Sequence, residues 1–165
     1  MMTLTCFRPL VFCLALLGAA PVFAQGTNVT FGTITQDTTA PVEVTADNLS
    51  VDQSTGTAIF IGNVLIGQGE LRISAAKVLV VYRQESEGIA RLEASGGVTL
   101  LFGQDAAEAQ RADYNIDSGT IEMSGDVLLT QGRSALTSEK MTVNLSDGTA
   151  RMSGRVKTIL NTGKE

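Results

Sequence analysis

The sequence predicts an all-β fold, a curved sheet of stacked antiparallel hairpins. Short segments alternate apolar and polar residues, as in Leu71-Arg72-Ile73, Ile121-Glu122-Met123 and Met141-Thr142-Val143; this is the period of a strand with one buried face. Turn formers separate these segments at Ser54-Thr55-Gly56, Glu87-Gly88, Asp117-Ser118-Gly119 and Asp147-Gly148. Through the same region a motif recurs in which an apolar residue, a spacer, Gly, any residue and Val follow one another.

In chain order, residues 1–24 come first, with a single charge at Arg8, an apolar run over 10–20, then Pro21 and Val22-Phe23-Ala24. That is the order of a secretory signal peptide, with cleavage expected between Ala24 and Gln25 and an extracytoplasmic destination. The alternative is a retained anchor, but the run is short against the roughly 20 residues that span a bilayer. Phe12 is too bulky to precede a lipidated Cys13. Residues 25–40 are polar and threonine-rich and read as a flexible leader, in which Val29, Phe31 and Ile34 could pair as a marginal strand. Alternating strands occupy 41–160, and 161–165 form a short tail. The stretch 106–112 leans helical but is too short for a stable isolated helix, so it reads as strand or loop.

The recurring motif reads Phe60-Ile61-Gly62-Asn63-Val64, Met123-Ser124-Gly125-Asp126-Val127 and Met152-Ser153-Gly154-Arg155-Val156. A further copy, Leu92 to Gly96-Gly97-Val98, carries two extra residues, and successive glycines lie 34, 29 and 29 positions apart. Each unit is a hairpin plus its return, which cannot bury its apolar face alone and must stack on neighbours. A glycine inside a strand marks a bulge or a sharp bend, which a curved sheet needs.

Composition narrows the chemistry. The chain has 165 residues, 44% hydrophobic, with no His and no Trp, which suits a single domain. Its 12 Lys and Arg against 17 Asp and Glu give a net charge of −5; without Arg8 the balance is 11 − 17 = −6. A nucleic-acid partner is disfavoured by that sign. Cys6 and Cys13 leave with the signal segment, so the exported chain has no disulfide. With no His and no Cys, Ser-His and Cys-His nucleophiles are excluded, and no catalytic set, metal site or cofactor is expected. Asp117 and Asp147, each followed closely by Gly, read as turn formers. Gly67-Gln68-Gly69 lacks the third glycine and following helix of a dinucleotide site and reads as a hairpin turn. Asn28, Asn48 and Asn144 begin Asn-x-Ser/Thr matches that read as chance.

What remains are apolar stripes. Phe60, Val64 and Ile66 share one parity; others are Val42/Val44, Leu71/Ile73, Val78/Val80, Val98/Leu100/Phe102, Ile121/Met123, Val127/Leu129 and Met141/Val143. The pattern alone favours a closed dry core.

Three runs carry a resemblance: Pro41 to Leu49 (PVEVTADNL), Ile59 to Gly69 (IFIGNVLIGQG) and Leu71 to Val78 (LRISAAKV). They resemble the LptA/OstA-like family of periplasmic lipopolysaccharide-transport proteins, and the likeness extends through the Gly125 and Gly154 copies. Ala76 departs from the Asp that often precedes the Lys in the family, and the tail is short. The resemblance implies an open, twisted, V-shaped β-jelly roll whose inner face holds the acyl chains of lipid A. The groove it implies is lined by Leu49, Val51, Tyr114 and Ile116 together with the stripes above. It further implies head-to-tail stacking through edges at Val42, Val44 and Val51 on one side and Val156 and Ile159 on the other. The implied partners are lipopolysaccharide, further copies, and the related domains of LptC in the inner membrane and LptD in the outer. The alternatives are an anchored LptC-like subunit and a structural β-solenoid without ligand.

Overall fold

The computed structural model describes residues 27–31, 37, 39–84 and 87–159. The expected signal peptide, Ile34 and the tail lie outside the described residues. Eleven strands follow in order: β1 (Thr27–Thr30), β2 (Glu43–Thr45), β3 (Asn48–Asp52), β4 (Thr57–Gln68), β5 (Leu71–Tyr82), β6 (Ile89–Phe102), β7 (Asp105–Asn115), β8 (Thr120–Gln131), β9 (Ser134–Asn144), β10 (Thr149–Ser153) and β11 (Lys157–Ile159). They form one antiparallel sheet in which β4 to β10 neighbour one another consecutively. At one edge β3 and β2 share β4, pairing with its N-terminal and C-terminal halves respectively. At the other edge β11 and β10 share β9 in the same way, and β1 pairs outside β10.

Every ladder between β4 and β9 breaks in its middle, at Ile61/Val64, Ser74/Lys77, Ser95/Val98, Glu108/Arg111 and Ser124/Val127, and β5–β6 shifts again at its end, at Val81/Tyr82. The middle breaks line up across the sheet and divide it into two leaves. The first leaf holds residues such as Ala58, Val80, Leu92 and Tyr114, which pair in a row; the second holds Ile66, Ile73, Leu100 and Ala107.

One hydrogen bond proves that the leaves face each other. The phenol of Tyr114 donates to Oε1 of Gln68 at 2.6 Å. In a flat sheet the row through Tyr114 meets β4 at Ala58, ten residues before Gln68. Ten residues of strand span about 33 Å, and three strand spacings add about 14 Å across. Direct contact is possible only if the sheet is folded along the line of breaks.

The recurring Gly-x-Val motif makes that corner. Gly62-Asn63, Gly96-Gly97, Gly125-Asp126 and Gly154-Arg155 all have positive φ at both residues, from 44° to 86°. A Cβ on Gly96 would lie 2.8 Å from the Ala76 side chain, and one on Gly125 would lie 2.8 Å from Gln110. Left-handed backbone and missing space together require glycine at the first position. Asn and Asp at the second position in two copies are the side chains that tolerate this conformation best. The second copy has no extra residues, contrary to expectation: Ala94 stands where Phe60, Met123 and Met152 stand, two residues before the glycine.

Because two residues on β4, β6 and β8 oppose one on β5, β7 and β9, the inward parity changes on the latter strands alone. On β5 it passes from Leu71, Ile73 and Ala75 to Val78 and Val80; on β7 from Ala107 and Ala109 to Ala112 and Tyr114. The stretch 106–112 is thereby strand, with alternate alanines inward. The Gly67-Gln68-Gly69 reading needs correction. β4 runs through Gln68, whose side chain is buried, and the turn falls on Gly69 and Glu70.

The expected flexible leader also gives way over 27–31. Val29 pairs with Ala150 in β1, and Phe31 is 0% exposed, its ring 6.1 Å from that of Phe102. A large aromatic that fills a core vacancy outweighs the polar composition around it.

Candidate functional site

Between the leaves the described residues bury one apolar cluster. Directly paired residues of an antiparallel sheet project from one face, so each leaf presents rows. In the first leaf Phe60, Val78, Ala94, Ala112, Met123, Met141 and Met152 form one row, and Ala58, Val80, Leu92, Tyr114, Ile121, Val143 and Ala150 form the next. In the second leaf Val44, Ile66, Ile73, Leu100, Ala107, Leu129 and Leu136 line up opposite them.

Of the residues assigned to the interior from sequence, Val64, Ile66, Leu71, Ile73, Val78, Val80, Val98, Leu100, Phe102, Tyr114, Ile121, Met123, Val127, Leu129, Met141 and Val143 are buried in one cluster. Val42, Val44, Phe60, Ile116 and the edge residue Val156 are half-buried against it. Leu49 and Val51 are 57% and 59% exposed. Their partners are Phe60 and Ala58, so they lie on the inner face, but among the described residues β3 is the last strand of its leaf. Ile159 is likewise exposed, on β11.

Sequence reading missed Leu92, Leu136, Leu145, Met152 and the inward alanines 58, 75, 94, 107, 109, 112 and 150. Leu92 and Leu136 alternate with polar neighbours and were findable by period. The alanines were not, because a small residue gives no amphipathic signal. They set side-chain size along the interior: Ala94 and Ala112 stand in the same row as Phe60 and Met123.

The lip opposite the corner is tied by polar contacts. Gln68 accepts from Tyr114 and donates through Nε2 to the carbonyl of Ala40 at 3.0 Å. Burial pushes the Tyr114 phenol up to about 12. Further along, Gln131 donates to the carbonyl of Thr30 and, at 2.9 Å, to Asp105. Phe31 donates its N–H to the Gly148 carbonyl at 2.8 Å while its ring stacks on Phe102. The lip is therefore closed by contacts between side chains and turns, whereas the corner is continuous backbone.

The outer face is of another kind. A recess of about 500 Å³ on the first leaf is lined by Lys77, Glu93, Arg111, Asp113, Glu122 and Lys140. Lys140 pairs with Glu122 at 2.8 Å, and Arg91 with Glu93 and Asp113. Partial burial raises the Asp113 carboxyl, and Arg91 offsets part of that. Paired charges of both signs at the surface add little stability and give no directed chemistry. Among the described residues no three His, Cys, Asp or Glu come together to hold a metal ion.

A bent sheet with an apolar cleft and the corner motif has known counterparts. The family profile described as LptA/(LptD N-terminal domain) LPS transport protein matches residues 43–149. The chain belongs to this family. The match runs from β2 into β10 and so takes in all six bent strands and three of the four corner glycine pairs. Lipopolysaccharide export system protein LptA of Escherichia coli K12 is 36% identical over 72 residues, covering 43% of this chain and 34% of that protein. The Shigella flexneri protein of the same name matches to the same extent. The aligned stretch thus spans about a third of the length of these relatives. LptH of Pseudomonas aeruginosa, an LptA-homologous periplasmic component of a lipopolysaccharide transport device, superposes with a TM-score of 0.69 at 14% identity. The superposition covers 76% of this chain and 99% of LptH. At that identity it speaks for the fold. The bent all-β architecture is therefore that of the LptA and LptD N-terminal-domain family, whose named relatives are transport proteins and not enzymes.

Proposed function

We propose that the chain is a periplasmic lipopolysaccharide carrier that holds the acyl chains of lipid A between its two leaves. It stacks head to tail into a bridge from the inner to the outer membrane. The observation that carries the reading is the predominantly apolar interior, bounded on one side by a glycine corner and on the other by a lip of side-chain contacts.

The energetics call for such a shelter. Burying a CH₂ group is worth about 0.8 kcal/mol, so a ~12-carbon chain exposed to water is penalised by roughly 10 kcal/mol. Opening the leaves replaces contacts between Leu100, Ile121, Met123 and their neighbours by contacts with acyl carbons, which are equally apolar. What resists opening is the lip, with its Tyr114–Gln68 bond and the Phe31–Phe102 stack. Movement along identical grooves is close to isoenergetic, so the drive comes from outside this chain.

Stacking follows from strand direction. In the first leaf β3 to β10 alternate through eight strands, so β3 and β10 run in opposite senses. A second copy in the same orientation would set its β3 antiparallel to β10 and its β2 antiparallel to β11, with inner faces continuous. Leu49 and Val51, exposed on the inner side of β3, are the apolar residues such a joint would cover. The same edges suit the related domains of LptC and LptD. After cleavage at Ala24 the chain would be free in the periplasm.

Photo-crosslinking residues at Phe60, Leu100 or Met123 test the groove in living cells. Lipopolysaccharide adducts there support it; adducts confined to outward positions overturn it.

A further inference from the structure

We propose that β1 is a self-cap: residues 27–31 occupy the edge of β10 on which β3 of a second copy docks, and must leave before copies join. The inference rests on the stacking reading above and adds a competitor to it.

The competition is geometric. β1 runs antiparallel to β10 with Thr27, Asn28, Val29 and Thr30 opposite Met152, Arg151, Ala150 and Thr149. An incoming β3 in the same orientation would use the same backbone groups of β10 in the same direction. One edge accepts one strand. On the inner face β1 offers Thr27 and Val29, whereas β3 offers Leu49 and Val51 at the same two-residue period. Along the β10 edge itself the exchange covers more apolar side chain than β1 offers there and removes the exposure of Leu49 and Val51, against the uncovering of Phe31.

The hold of β1 is concentrated in one residue. Its four residues are exposed apart from half-buried Val29, and three of them are polar. Phe31, by contrast, is fully buried, stacks on Phe102 and donates to the Gly148 carbonyl. A short polar strand tied by one aromatic anchor and the Gln131 hydrogen bond to the Thr30 carbonyl can be displaced as a unit once the anchor leaves. At the far end, among the described residues, β3 carries its two exposed apolar residues with no strand beyond it. A capped chain can therefore offer β3 but cannot receive on β10, and two capped chains do not join.

A disulfide lock separates the states. Asn28 and Arg151 are directly paired and exposed, within the Cα separation a disulfide bridges. The full chain carrying N28C and R151C, with Cys6 and Cys13 replaced by alanine, is compared oxidised and reduced by sedimentation velocity. Phe31→Ala and deletion of 27–31 are run beside it, with circular dichroism to register the sheet. The cap predicts that self-association is at least tenfold weaker in the oxidised form than in the reduced form. It also predicts that both uncapped variants associate at least tenfold more tightly than the lock. If locked and uncapped forms associate equally, the cap is wrong and stacking stands. If no form associates, the stacking reading falls and the cap with it.

Discussion

Gly125 and Gly132 both have left-handed backbone, φ 84° and 55°, but a Cβ on the first would lie 2.8 Å from Gln110 while the second has nothing within 4 Å. Gly132→Ala bears only the backbone term, about 1 kcal/mol, whereas Gly125→Ala adds forced overpacking and is expected to lose about 3 kcal/mol. Urea unfolding of the two variants measures the difference, and equal losses would remove the corner's special status. Tyr114 makes a prediction in pH. Its folded phenol titrates near 12 and an unfolded one near 10. The unfolded state then gives up its proton first, so the stabilisation is complete below about pH 10 and is lost as pH rises towards 12. Stability should fall by on the order of 2 kcal/mol across that window, and Tyr114→Phe should flatten the fall while losing about 1 kcal/mol at neutral pH. Thermal melts at pH 8 and pH 11 read both. None of this was legible from residue types: Tyr114 was assigned to the interior, but its partner Gln68 was assigned to a turn, because Gly67 and Gly69 flank it and glycines usually punctuate.

At the scale of elements, alternation and turn chemistry placed the long strands well. They failed at the chain's edges, where tertiary context decides. A strand of Thr-Asn-Val-Thr has no apolar period of its own, and β1 exists because β10 presents an open edge and Phe102 an open ring face. Leu49 and Val51 show the converse. Their period marks an inner face, yet burial needs a neighbour that the described residues do not supply. Replacing both by Asp should leave stability within about 0.5 kcal/mol, as for exposed sites generally, while abolishing self-association in the uncapped protein. Light scattering alongside a urea titration checks the pair of outcomes. Loss of stability of several kcal/mol would mean that β3 is buried within the monomer after all. The Gly-x-Val motif was the most informative sequence feature, since it marked bends before any coordinate did. Its alternating effect on parity, which turns β5, β7 and β9 but not their neighbours, could be seen only once the strands were paired.

At the scale of the molecule, the described residues form one folded sheet whose interior is mainly apolar and whose outside carries the charges. The bent architecture was anticipated through the family resemblance rather than through composition, which fits a closed core equally well. In the isolated chain the leaves do meet, with Leu100, Ile121 and Met123 fully buried. Transport requires that they part for acyl chains. Neighbouring residues on β6 decide it: Leu100 points between the leaves and is 0% exposed, while Leu101 points outward and is 46% exposed. A photo-crosslinking amino acid at each position, activated in living cells, asks which face meets lipopolysaccharide. A carrier that shelters lipid between its leaves gives adducts at Leu100 and not at Leu101; adducts at Leu101 alone, or none at Leu100, would contradict it.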